Sequence, residues 1–321
     1  MILVVFAASL LAAIIGAVLL IPRLHRAGIT GKDMHKAGKP EVAEMGGLAI
    51  VAGTGVGISV ALAMMSFFHV LADASVVLLL AALAVILLTG LIGIIDDLLG
   101  MRQWVKAFLP AMAALPLVAV RAGHTSLLIP FVGQINFWIF YPLFLVPAGV
   151  MVAANAVNML AGFNGMEVGM GLVAMGSLAV IAAMIHETTA LIILLAGSGA
   201  LLGVLFFNWY PAKIMVGDVG TLSIGALIAT AVIVGNFETA GVIVIIPYAI
   251  DFLFKATHGF PKSFGELRSN GKLHCPANRS VGLGQFIMKI TGGIKERNLT
   301  LTLMGIEVVF GMLAIVLYVI R

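Results

Sequence analysis

The feature that most constrains this chain is the return, again and again, of apolar stretches about twenty residues long between short polar breaks. A helix rises 1.5 Å per residue, so about twenty apolar residues cross the hydrocarbon core of a bilayer. Ten such stretches run approximately from 2 to 23, 46 to 68, 75 to 95, 105 to 120, 137 to 157, 166 to 185, 187 to 207, 219 to 236, 239 to 256 and 299 to 320. Backbone amides in hydrocarbon need partners within the chain, and these runs are too long and continuous for barrel strands. The expected fold is therefore an all-α integral membrane protein of ten transmembrane helices, forming a single polytopic domain over 1–321. Composition agrees, since 62% of the residues are hydrophobic and 10% charged, against about 25% charged in soluble domains. The first stretch lacks a basic n-region and a small-residue cleavage pattern, and Pro22, Arg23 and Arg26 follow at once. It reads as a retained helix, not a signal peptide.

Orientation follows from where the positive charge lies. If each loop is numbered by the stretch it follows, then of the 18 lysines and arginines only Arg121 and Arg321 fall outside the odd loops. Cytoplasmic loops carry the lysine and arginine excess, so the odd loops are expected inside and both termini outside. The pI near 9.3 thus reflects topology, and no nucleic-acid partner is expected. Cys275 is the only cysteine, which rules out an intramolecular disulfide, and its basic loop suggests a reducing compartment. On the outer face, Gly123 to Asn136 reads as a small external β-hairpin. His69, Asp73, His124, His186, Glu187 and Glu238 are expected to be solvated there.

The chemistry-bearing residues collect on the other face. Asp96-Asp97 closes the third stretch, at a helix end whose partial negative charge disfavours each carboxylate by about 0.3 to 1 kcal/mol without a cation. Consecutive helical residues point about 100° apart, so the two carboxylates should have different jobs, one to bind or deprotonate and the other to orient a lysine, with Lys106 the nearby counter-charge. In the first loop, Glu44 precedes Gly46-Gly47, a pair that allows close backbone approach to a ligand or between helices. Asn155, Asn158 and Asn164 cluster at the mouth of two apolar helices. An amide oxygen there can ligate a hard cation, and the NH2 can donate to phosphate or a sugar carbonyl. Asp218 lies between Gly217 and Gly220, placed either to cap a helix or to hold Mg2+. The long ninth loop, 257 to 298, has an Asn270-Gly271 hairpin signal and an amphipathic run near Phe286 to Ile294 expected at the membrane surface. It is read as a lid whose Lys272 and Arg279 contact phosphate.

Asp96-Asp97, the stretch from Asn155 to Gly165, and Asn208-Trp209-Tyr210-Pro211-Ala212 followed by Gly217-Asp218 together resemble the polyprenyl-phosphate N-acetylhexosamine-1-phosphate transferases. The resemblance implies an enzyme that moves a sugar 1-phosphate from a UDP-sugar to a polyprenyl or dolichyl phosphate in the membrane, using Mg2+, with Mn2+ as a substitute. It implies Asp218 and Asn158 as metal ligands and Asp96, Asp97 and Lys106 as the catalytic group. Glu44, Asn155, Asn164, Lys272 and Arg279 form the expected substrate-binding set. Relatives also suggest a homodimer, in a plasma or ER-type membrane with the site on the cytoplasmic face. Cys275-Pro276-Ala277-Asn278-Arg279 looks like a reduced form of the Cys-Pro-Arg-His-Arg segment of the dolichyl-phosphate branch, which favours UDP-N-acetylglucosamine over UDP-muramoyl-pentapeptide as donor. The expected mechanism is one displacement, with Asp97 as base or orienting group and Asp96 holding Lys106; a covalent aspartyl-phosphate is the alternative. The competing class, a lipid or solute transporter, would place its polar site near the midplane in repeated halves. Here the polar motifs gather at one edge.

Overall fold

A computed structural model describes residues 1–129, 133–276 and 279–320, apart from the side chains of Leu128 and Ile129. The molecule is mostly helical, and among the described residues nine helical segments are long and apolar enough to cross a membrane. They are α1 (Ile2–Arg26), α2 (Gly47–Phe68), α3 (Val76–Leu99), α6 (Val146–Leu160, extended at its start by a π-turn over Tyr141–Leu145), α7 (Met166–Met184), α8 (Thr188–Asn208), α9 (Gly217–Val234), α10 (Glu238–Ala256) and α12 (Glu296–Val319). Together with the relatives described below, they make this a multi-pass membrane protein.

The stretch expected as one crossing at 105 to 120 is an apolar segment made of two short helices, α4 (Gln103–Ala113) and α5 (Leu115–Ala119), separated by Ala114. Pro116 cannot supply the N–H that a continuous helix would direct at the Met112 carbonyl, and the chain turns at Ala114. α3 has ordinary helix ends: Ser75 accepts from the Leu78 N–H, and Gly100, at φ 66°, closes the last turn with its N–H on the Asp96 carbonyl.

α9 is the centre of the bundle and packs against α2, α3, α6, α7, α8 and α10. A helix apolar on every side must be enclosed, and 89% of the residues of α9 are buried inside the molecule. Two glycines set its position. A Cβ on Gly47 would lie 2.0 Å from the Gly220 nitrogen, and one on Gly93 would lie 2.4 Å from the Val219 Cα. The backbones of α2 and α3 therefore press directly on the first turn of α9. Gly46 and Gly47 also donate to the Met215 and Val216 carbonyls, both at 2.8 Å, so this glycine pair meets the protein's own backbone.

Three small hairpins decorate the bundle. β1 (Thr30–Lys32) and β2 (Glu41–Ala43) form one in the first loop, which the sequence did not announce. The hairpin expected between Gly123 and Asn136 pairs β3 (Ser126–Ile129) with β4 (Gly133–Asn136); its expected turn at 130–132 lies outside the described residues. At this end of the bundle Glu238 is not simply solvated, because Tyr141 donates its hydroxyl to it. In the ninth loop β5 (Glu266–Leu267) pairs with β6 (Leu273–His274) around Asn270-Gly271, followed by the amphipathic α11 (Leu283–Ile290).

Candidate active site

The C-terminal ends of α3 and α8, the N-terminal ends of α4, α7 and α9, and the loops that follow α1, α6 and α10 meet at one edge of the bundle, around a cavity of about 590 Å3. Its centre is Asp218, in the first turn of α9. Lys106, from the first turn of α4, places its ammonium 2.5 Å from Asp218 Oδ2 and 2.6 Å from Asp96 Oδ2. Asn158, near the end of α6, donates its amide to Asp218 Oδ1 at 2.7 Å. Asp96 also accepts from the Met101 N–H at 2.7 Å, which fixes the turn leading to Lys106.

Asp97 faces the other way. Its Oδ1 accepts from the Asp218 N–H at 2.9 Å and its Oδ2 from the Val219 N–H at 3.2 Å. A carboxylate from α3 thus caps the start of α9, where unpaired amides and the helix dipole favour negative charge. Glu44 lines the same cavity, and burial raises its pKa above the ordinary carboxylate value, with the neighbouring Asp218 charge adding to the rise. Four carboxylates around one ammonium leave an excess of negative charge.

A second cluster reaches the same wall through Asp33 and Asn164. Lys36 reaches Asp33 at 3.2 Å, Asn164 Oδ1 at 3.0 Å and the Glu296 carboxylate, and lies over the Tyr210 ring, 4.1 Å from its centroid. Every polar group of Asn164 is engaged. Its side-chain NH2 donates to Asp33, its Oδ1 also accepts from the Ala212 N–H, its backbone N–H donates to Glu296 and its carbonyl accepts from Thr300. His35 stacks on Phe163 at 4.6 Å, and its Nε2 accepts the Gly265 N–H at 3.1 Å. Burial lowers the His35 pKa to about 4, with Asp33 opposing the shift and Lys36 adding to it. Asp33, His35 and Glu296 have ligand atoms within 4.8 Å of one another, but the Lys36 ammonium already bridges the two carboxylates. This cluster therefore reads as an ion-paired knot that ties the first loop to α12 and the turn before α7.

The cavity wall thus brings together Glu44, Asp96, Asp97, Lys106, Asn164 and Asp218, with Asn158 directly behind Asp218. Three other expected substrate contacts lie elsewhere. Asn155 donates to the Ala107 and Met151 carbonyls, both at 2.8 Å, and joins α6 to α4. Lys272 and Arg279 are exposed on the ninth loop and do not line the cavity; Ala277 and Asn278 lie outside the described residues. Instead the ninth loop contributes Lys262 and Phe264 to the wall. Asp33 and Glu167 are also wall residues that the sequence reading did not single out.

Residues 79–236 match the family described as glycosyl transferase family 4. A Saccharolobus solfataricus protein, provisionally named UDP-N-acetylglucosamine–dolichyl-phosphate N-acetylglucosaminephosphotransferase, is 38% identical over 307 residues, which is 94% of this chain and 92% of that one. The chain belongs to glycosyltransferase family 4. A Dictyostelium discoideum family member, named as the same transferase, is 29% identical over 271 residues, 70% of this chain and 64% of its own. The phospho-N-acetylmuramoyl-pentapeptide-transferase of Lacticaseibacillus paracasei is 31% identical over 181 residues, 53% of this chain and 56% of its own. The family match spans Asp96, Lys106, Asn158 and Asp218 but stops before the ninth loop.

The residues at this candidate site fit a hard divalent cation. The available donors are oxygens: the carboxylates of Asp218 and Asp96 and the amide oxygen of Asn158. Mg2+ typically takes one or two carboxylates and completes its shell with phosphate and water, for which the cavity has room. The excess of acid over base around Asp218 favours a cation for the same reason.

Proposed function

We propose that this protein transfers N-acetylglucosamine 1-phosphate from UDP-N-acetylglucosamine to a membrane polyprenyl phosphate of dolichyl type, releasing UMP. The observation that carries this reading is the convergence of Asp218, Asn158, Lys106 and Asp96 at one membrane edge, in a chain similar along nearly its whole length to a relative named for that reaction. The broken α4–α5 segment counts as the tenth crossing, with both ends outside and the cavity on the cytoplasmic face. The concentration of lysine and arginine on the cavity side supports that orientation. A nucleotide sugar would reach the site from water, and a lipid phosphate from the bilayer interface.

Asp218 and Asn158 would hold Mg2+, or Mn2+ in its place. Bound there, the ion would neutralise the diphosphate and the departing UMP. Lys106, steered by Asp96 and Asp218, is placed to donate to diphosphate oxygens and to stabilise charge on the leaving group. Asp97 positions the first turn of α9, each of its oxygens accepting a backbone amide there, and the mechanism assigns it no part as nucleophile or base. None is required, because a phosphate monoester has a second pKa near 6 and is largely a dianion at neutral pH. An oxygen of the lipid phosphate attacks the sugar-bearing phosphorus, and the bond to the UMP oxygen breaks with its electron pair leaving on UMP. The products are lipid diphosphate-linked sugar and UMP.

The test is incubation of purified, folded protein with Mg2+, polyprenyl phosphate and UDP-N-acetylglucosamine. UMP and lipid-linked sugar are expected in equal amounts. Release of neither, across several UDP-sugars and acceptor lengths, sinks the proposal. Exchange of labelled UMP into the UDP-sugar without acceptor would instead replace the single displacement with a covalent intermediate.

A further inference from the structure

Asp251 and Lys255 take no part in the chemistry above, yet both are charged and almost wholly buried at the cavity end of α10, at 1% and 6% relative exposure. They are one turn apart, with the Lys255 ammonium 2.9 Å from Asp251 Oδ2. Charges in such surroundings are costly unless each is both paired and hydrogen-bonded. The remaining bonds lead to two different elements. Asp251 Oδ1 accepts the backbone N–H of Leu283, the first residue of α11, at 2.7 Å. Gly282 passes so close that a Cβ there would lie 2.8 Å from the same oxygen. Lys255 donates to the carbonyl of Met159, in the last turn of α6. Carbonyls at a helix end lack intrahelical partners and attract cations, so this lysine secures the end of α6.

Met159 is the neighbour of Asn158, whose amide is bonded to Asp218 at 2.7 Å. A continuous set of bonds therefore runs from the start of α11 through Asp251 and Lys255 to the residue that orients Asp218. α11 exposes Phe286, Lys289 and Ile290 on its outer side, a pattern suited to the boundary between water and bilayer.

We propose that Asp251 and Lys255 are positioning residues: by docking α11 against the end of α6, they hold Asn158 in register with Asp218 and so set the affinity of the divalent-cation site. This rests on the reading of that site given above. It also makes the site dependent on a helix that sits at the membrane surface.

The experiment is a Mn2+ titration of the purified full-length protein by electron paramagnetic resonance. Asp251→Asn combined with Lys255→Met removes both charges at similar volume and leaves no lone buried ion. Its Kd for Mn2+ is expected to rise about tenfold, as for other residues that support metal ligands, while KM for the UDP-sugar at saturating metal stays within about twofold. Lys255→Arg keeps the cation and is expected to retain wild-type affinity. Unchanged Mn2+ affinity in the double variant overturns the inference. If that variant does not fold, amide hydrogen exchange of the wild-type protein decides: Mn2+ should slow exchange both at 157–160 and in the first turn of α11. Protection at 157–160 alone overturns the coupling. A wild-type protein that fails to bind Mn2+ removes the metal-site reading and this inference with it, whereas wild-type binding with an unaffected variant removes only the brace.

Discussion

Two lysine-centred clusters meet at the same cavity, and they differ in how much of each is still available to a ligand. Around Lys36, the carboxylates of Asp33 and Glu296 are 3% exposed, and Asn164 has a partner for every polar group. Around Lys106, the Asp218 side chain is 26% exposed and opens on the cavity, within a group of acids that one ammonium does not balance. The lysines themselves are equally exposed, at 14% each. Burial of the cation therefore does not separate a structural ion pair from a reactive one; unmet charge and access do.

The contrast breaks most sharply at Asp218. Asp218→Asn should lower UMP release by roughly 1,000-fold or more, the loss typical of removing a principal electrostatic contact in a transition state. Its thermal unfolding temperature should stay level or rise, because crowding among acids is relieved. A comparable fall in folding temperature would mean that Asp218 is structural and that the two clusters are alike. Lys36→Met should do the reverse, costing about 3–5 kcal/mol of stability by leaving buried carboxylates unpaired. Denaturant unfolding in detergent reads this, and a wild-type midpoint would refute the knot.

Acid sharpens the difference. The His35 pKa is held near 4 in the folded protein, below its ordinary 6.5. Its contribution to stability is therefore complete above pH 6.5 and lost as pH falls from 6.5 towards 4, where the unfolded chain takes up a proton that the folded one resists. The loss should reach about 3 kcal/mol. It should vanish in His35→Gln, when midpoints at pH 7.5 and pH 4.5 are compared for both proteins. The smallest effect is expected at the rim: Lys262→Ala should raise KM for the UDP-sugar by about threefold to tenfold with kcat nearly unchanged, the signature of a contact made equally in ground and transition states. An unaltered KM would leave Lys262 as a mere wall residue.

The reasons some of this could be read from sequence are particular. Long apolar runs announce membrane helices because the bilayer imposes their length, and the acids at their ends stand out against that background. The knot was invisible because Lys36 meets partners 128 and 260 positions away, and nothing local distinguishes it from the other lysines of a basic loop. Lys272 and Arg279 attracted notice by their neighbours in sequence, but the β5–β6 hairpin carries Lys272 away from the cavity while the less conspicuous Lys262 faces it. The division of α4 from α5 was written in Pro116, yet a count of apolar residues does not register a missing N–H.

The direct backbone contacts of Gly47 and Gly93 with the first turn of α9 bear on how this protein can fail. The clearance there is smaller than one methyl group, so an alanine at either position would wedge α9 away from α2 or α3 and carry Asp218 out of reach of Lys106 and Asn158. No charged residue would have changed. Loss of activity in this molecule can therefore begin at apolar positions with no chemistry of their own, and a mutational survey confined to its polar residues would overlook the mechanical tolerance on which they depend.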